Sequence, residues 1–232
     1  MKTLPLLTAM LLAALATGCG QTKSTEPGTP PEPVAGDPRA VAAKRISQVL
    51  AERRAKVDGD VGRITKAVES ARDAKAFADV KAVQSLQADA AAAVAAVNEL
   101  HERLLELDRE LRHAKNSYAA AAQAFRDRAE DYPDSSLKAT CLDWARHYDD
   151  LARVVPYERG RIAEFQQALP TTLDLCRQTK RLLDDYVLFL TTYHDATVPT
   201  AEVERYQAAL KEYVQKFSAF EQAASSYRGA KP

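Results

Sequence analysis

Between Val83 and Phe125, apolar side chains recur at alternating steps of three and four residues. The series is Val83, Leu86, Ala90, Ala93, Val97, Leu100, Leu104, Leu107, Leu111, Ala114, Tyr118, Ala121 and Phe125. That spacing places every member on one stripe of an α-helix and suits neither face of a strand. Its mean step of about 3.5 residues is that of a coiled-coil seam and predicts left-handed supercoiling against a partner helix. The first half is rich in alanine, which permits close approach. The second half is rich in leucine and should carry most of the burial. The pattern predicts one helix over about 79–131, roughly 75–80 Å long at 1.5 Å per residue. Pro133 stops it, because the residue before a proline is pushed out of the α region. Val97, Leu100, Leu104, Leu107, Leu111, Tyr118 and Phe125 form the candidate interaction seam. Other helices of the chain, a protein partner or a second copy could cover it.

A partner helix precedes this one. Asp37 and Pro38 have the residue types of an N-cap and a first-turn proline. Ile46, Val49, Leu50, Val57, Val61, Ile64, Val68 and Ala71 follow at helical steps. Gly59 and Gly62 interrupt the run at about 1 kcal/mol each relative to alanine, so a kink or short break is expected there. A turn over 73–79 would fold this helix back along the long one. Downstream, Asp134 or Ser135 would cap a helix carrying Leu137, Cys141, Trp144, Tyr148, Leu151 and Val155, which Pro156 ends. A short piece with Ile162, Phe165 and Leu169 leads to Pro170, which begins a further helix with Leu173, Cys176, Leu183, Val187 and Leu190. After Pro199 comes the last helix, with Val203, Tyr206, Leu210, Tyr213, Phe217, Phe220, Ala224 and Tyr227 again spaced three and four apart. No segment has strand periodicity. The expected fold is all-α: an elongated antiparallel helical bundle with a long coiled-coil-like hairpin. The hairpin spans 39–131, and a helical bundle over 132–232 packs on it.

The first 38 residues differ in kind. Lys2 precedes an apolar run from Leu4 to Leu15, too short to cross a bilayer as a helix, which takes roughly 20 apolar residues. Leu15-Ala16-Thr17-Gly18-Cys19 then resembles the lipobox of bacterial lipoproteins, although Ala16 stands where leucine is commoner. The resemblance covers only this N-terminal stretch. It implies a signal peptide over 1–18, acylation of Cys19 and firm attachment to membrane lipid. With Gly20 following the cysteine, it implies the periplasmic face of the outer membrane in a Gram-negative cell. Ala14-Leu15-Ala16 also fits an ordinary secretory cleavage site, which would release a soluble chain. Of three cysteines, lipidation of Cys19 leaves an even pair, Cys141 and Cys176. Residues 19–38 form the lipidated cysteine and a tether in which Pro27, Pro30, Pro31, Pro33 and Pro38 withhold backbone donors. At about 3.1 Å per residue, its extended part reaches roughly 50 Å.

Lys plus Arg and Asp plus Glu both number 32. This balance argues against nucleic acid as a partner, since such proteins carry a basic excess. Cys141 and Cys176 fall on core stripes of what look like separate helices. They are either a disulfide, which outside the cytosol could close a loop worth roughly 3–4 kcal/mol, or two buried thiols acting as small hydrophobes. Glu110 and His113 have Glu-x-x-His spacing, but a di-iron bundle needs two such motifs and further carboxylates. No zinc, phosphate-loop or nucleophile-elbow motif is present, so no metal, no cofactor and no enzyme are expected. Tyr186, Phe189, Tyr193, Tyr206, Tyr213 and Phe217 could line a small-ligand pocket between the last two helices, or simply pack as core. The function these features point to is a non-enzymatic structural or protein-interaction module of the cell envelope. Its partners would be membrane lipid through Cys19 and an envelope protein or another copy of the chain.

Overall fold

Helix α1 (Pro38–Arg72) starts where Asp37 accepts the Arg39 backbone N–H and Pro38 occupies the first turn. These residues begin the part that the computed structural model describes, which is 36–74, 77, 79–133, 135–193 and 198–230. The signal segment, Cys19 and nearly all of the tether lie outside the described residues. Helix α2 (Val80–Glu130) is capped by Asp79 and covers almost the whole span that the seam predicts. Helix α3 (Ser136–Thr192) begins on the Ser135 cap, and α4 (Thr200–Gln215) and α5 (Ser218–Gly229) complete the chain. The elements are all helical and pack into one compact unit, an elongated all-α bundle.

Ion pairs fix the directions. Arg39 meets Asp127 at one end of the α1–α2 pair and Lys66 meets Asp89 toward the other, so the two helices are antiparallel. Arg126 with Asp149, and Gln87 with Asp184, set α3 antiparallel to α2. Tyr186 against Tyr206 and Phe165 against Tyr227 return α4 and α5 along the second half of α3. The bundle therefore has three helices at the end holding the α1 N-terminus and four at the other.

The glycine expectation fails in a simple way. Gly59 and Gly62 lie within an unbroken α1, both exposed, with nothing near where a Cβ would stand. Their cost is conformational only, and the flanking Val57, Val61 and Ile64 are fully buried.

The two prolines are the larger correction. Neither Pro156 ends a helix nor Pro170 begins one: α3 runs through both. Each ring withholds an N–H from the carbonyl four residues earlier, at about 3 kcal/mol. Both prolines are exposed. Each follows directly on a buried residue, Val155 or Leu169, so the stripe on the opposite face keeps its register. That stripe is Cys141, Trp144, Tyr148, Leu151, Val155, Glu158, Ile162, Phe165, Leu169, Thr172, Cys176, Thr179, Leu183, Tyr186 and Leu190, stepping by three and four throughout. All but Trp144 and Leu151 are buried. Glu158, Thr172 and Thr179 carry it across the prolines, and their polarity conceals its continuity.

The last rod departs the other way. A single helix is expected after Pro199, but a tight turn at Lys216 and Phe217 divides it, with Phe217 N–H donating to Val214 O at 3.2 Å. The turn brings both Val214 and Phe217 into the core, leaving Tyr213 half-buried.

Candidate functional site

The seam residues Val97, Leu100, Leu104, Leu107, Leu111, Tyr118 and Phe125 are all buried, none more than 3 % exposed. The chain's own α1 and α3 cover them, so this stripe offers little surface to another molecule. Among the large apolar side chains left exposed are Val41, Leu105, Leu137, Tyr157 and Leu188, spread over three helices.

Cys141 and Cys176 lie on the same helix, 35 residues apart. At 1.5 Å per residue that separates them by roughly 50 Å, far beyond the 7 Å a disulfide spans. The expected bridge does not form. The separate helices it required are the two halves of α3. Both thiols are free and buried. Burial raises the Cys141 pKa and pushes the Cys176 thiol up to about 12.

Of the six aromatic residues proposed for a ligand pocket, the structure brings four together. Tyr186 packs on Tyr206 at 4.5 Å between ring centroids, Phe189 on Tyr193 at 4.8 Å, and Phe189 on Tyr206 at 5.8 Å. The connection between α1 and α2 adds a ring the sequence reading missed. Phe77 stacks on Tyr186 at 4.7 Å, and Tyr186 donates its hydroxyl proton to the Phe77 carbonyl at 2.6 Å. These distances are those of rings packed against one another. Tyr213 lies apart, under the Lys216 ammonium. Phe217 instead closes a cavity of about 20 Å³ with Val68, Ala90, Cys176, Thr179 and Val214, where all four rods meet. That is room for about one water, and the buried Thr179 hydroxyl, without a hydrogen-bond partner among the described residues, faces the core there.

The sequence reading also missed the buried charges. Asp60 is fully buried on α1 and held by Arg63 and by Arg103 Nη1 of α2 at 2.7 Å. Arg54 of α1 binds Glu158 of α3 through Nε at 2.8 Å and Nη2 at 2.6 Å, and the Glu158 side chain is only 1 % exposed. Burial alone would lower the Arg54 pKa, but the two bonds to Glu158 reverse this and the net shift is upward. Tyr118 and Ser47 lie one turn or more away along the same groove, their hydroxyls 3.0 Å apart. A signal for this cluster exists in the sequence. The inward stripe of α1 is Ala40, Ala43, Ser47, Leu50, Arg54, Val57, Val61, Ile64, Val68 and Ala71, again three and four apart, and Ser47 and Arg54, both half-buried, are its polar members. Ile46 and Val49, equally half-buried, flank this stripe.

His101, His113 and His147 are exposed and Glu110 is half-buried, so the Glu110–His113 pair lies at the bundle surface. Among the described residues no group of three or more His, Cys, Asp or Glu side chains could hold a metal ion. No helix among them is long and apolar enough to cross a membrane.

The architecture defines the chain as an all-α bundle that passes from three helices to four along its length. No family model, curated protein or solved structure matches the chain.

Proposed function

We propose that this chain is a lipid-anchored protein of the cell envelope, acting as a non-enzymatic structural or protein-interaction module. The observation that carries the reading is Leu15-Ala16-Thr17-Gly18-Cys19, placed between a short apolar run and a proline-rich stretch. In this reading the Cys19 thiol carries acyl chains that hold the protein to membrane lipid. Two or more hydrophobic chains are needed for a stable anchor, as one alone binds only marginally. The proline-rich segment then sets the helical body off from the lipid surface. Most of the interior of that body is closed by its own helices, which suits a module that works through its outer faces. An envelope protein or a second copy would therefore meet the charged exterior and its scattered apolar side chains, not the α2 seam.

The test is the mature N-terminus. Expressed in bacteria with labelled palmitate, the chain should incorporate label and yield an N-terminal peptide beginning at acylated Cys19. Cys19→Ala should abolish both and leave the precursor uncleaved. An unmodified product beginning at Thr17, or an uncleaved chain in the cytosol, overturns the anchor and the location together.

A further inference from the structure

Glu158, Thr172 and Thr179 are buried polar members of the α3 stripe. Two of them are satisfied within the chain. Glu158 accepts both prongs of Arg54, and Thr172 turns back on its own helix to donate to Ala168 O at 2.8 Å. Thr179, two turns beyond Thr172 on the same stripe, is only 6 % exposed, and its Oγ1 has no hydrogen-bond partner among the described residues. A buried hydroxyl left unpaired is costly, and valine would fill the same space without that cost.

Thr179 lines the cavity of about 20 Å³ where the four rods meet. Alanines make the room. Ala67 and Ala71 of α1 and Ala90 and Ala93 of α2 stand where longer side chains would interlock, and Val214 and Phe217 close the space from the α4–α5 rod. Cys176 lines it too, three residues before Thr179 on the same face of α3. Side chains so spaced have Cβ atoms about 5–6 Å apart, a gap that one bridging molecule spans. The thiol is a weak donor and a weak acceptor. Burial keeps it protonated, with its pKa pushed up to about 12. Among the described residues no charged side chain lines the cavity, so an ion would be buried there without a counter-charge. One water needs roughly 10–15 Å³ of such space, and an organic molecule needs far more. An apolar gas atom would leave the Thr179 hydroxyl unpaired.

We propose that this cavity is the binding site of a single internal water, held between Thr179 Oγ1 and Cys176 Sγ. The water satisfies the one hydroxyl of the stripe that the chain itself does not, and it fills the space the alanines leave at the joint of the rods. Buried waters with about two partners or more are part of a structure and costly to remove. The site holds whether or not Cys19 is acylated.

Oxygen-17 magnetic relaxation dispersion of the full chain tests it, because that signal counts long-lived internal waters and does not respond to exchanging hydroxyl protons. Thr179→Val keeps the shape of the side chain, removes the hydroxyl and should lower the count by about one. Thr179→Ser keeps the hydroxyl and should leave the count unchanged. Ala93→Val fills the cavity from α2, should also lower the count by about one, and serves if Thr179→Val does not fold. Two results overturn the proposal. One is an unchanged count in folded Thr179→Val, or in Ala93→Val where the former fails to fold. The other is an equal fall in Thr179→Ser, which would trace the change to packing and not to the hydroxyl.

Discussion

Past Val57 the groove between α1 and α3 is closed by α4 and α5, with Phe165 tilted against Phe220 at 5.7 Å and Tyr227 at 5.9 Å between ring centroids. Short of Val57 the same groove has no fourth rod, and its floor is Ser47, Arg54, Tyr118 and Glu158. The two ends share α1, α2 and α3 and differ in what covers them. Under the fourth helix, Phe220 and Tyr227 fill the groove against Phe165. Where there is none, the groove holds the two-pronged Arg54–Glu158 ion pair, with the stacked rings of Phe125, Trp144 and Tyr148 further along. A buried pair of this kind is weak evidence for stability, because the desolvation of both charges offsets their attraction. The rings under α4 and α5 are therefore expected to contribute more to stability than the Arg54–Glu158 pair.

The sharpest way to break this contrast is to remove one side of each interior. Phe165→Ala should cost about 3–5 kcal/mol, from lost burial and the cavity left behind. Arg54→Met or Glu158→Met alone should cost a similar 3–5 kcal/mol, because an unpaired charge stays buried. The two cases separate in double variants. Arg54→Met with Glu158→Met should recover most of the loss, since apolar replacements of a buried pair are often neutral or stabilising. Phe165→Ala with Phe220→Ala should recover nothing. Urea unfolding of the five variants checks this, and a double Met protein no more stable than its parents would refute the contrast.

The prolines come next in size. Pro156 lies in the three-helix end and Pro170 in the four-helix end, both exposed and both inside α3. Replacement by alanine restores a backbone donor in each case and should stabilise by up to about 3 kcal/mol. A midpoint that falls in either variant would show the ring making a packing contribution. Gly59→Ala and Gly62→Ala meet nothing within 4 Å and should each add about 1 kcal/mol, read as an increase in the thermal midpoint. The smallest expected effect is that of reductant. With both thiols free, buried and raised in pKa, reductant should leave the unfolding midpoint unchanged. Thiol reagents at pH 7 should label Cys141 and Cys176 only after denaturation. A midpoint lowered by reductant would indicate a bridge.

Much of the fold was legible along the chain. Asp37, Pro38, Asp79 and Ser135 mark helix starts through chemistry local to each position, because a cap bonds to backbone two or three residues away. The α2 stripe was legible because every member is apolar. The α3 stripe was not, although its spacing is as regular, because Glu158, Thr172 and Thr179 look like surface residues and the prolines look like ends. The aromatic group was legible in Tyr186, Phe189, Tyr193 and Tyr206, but Phe77 sits outside any periodic segment. The polar cluster was legible only in Ser47 and Arg54, the polar members of the α1 stripe. Ser47, Arg54, Tyr118 and Glu158 are spread over more than a hundred residues, and nothing local relates them.

By itself the sequence determined that the chain is helical, where most helices begin, which face of α2 is buried, and the lipobox-like segment around Cys19. Those are consequences of period, capping and short motifs, all of which act within a few residues. Tertiary structure decided the continuity of α3, the division between α4 and α5, the separation of Cys141 from Cys176, and which half of the α1–α3 groove is closed. In each case a local preference worth about 1–3 kcal/mol was set against burial along a whole helix face, and the longer contact prevailed.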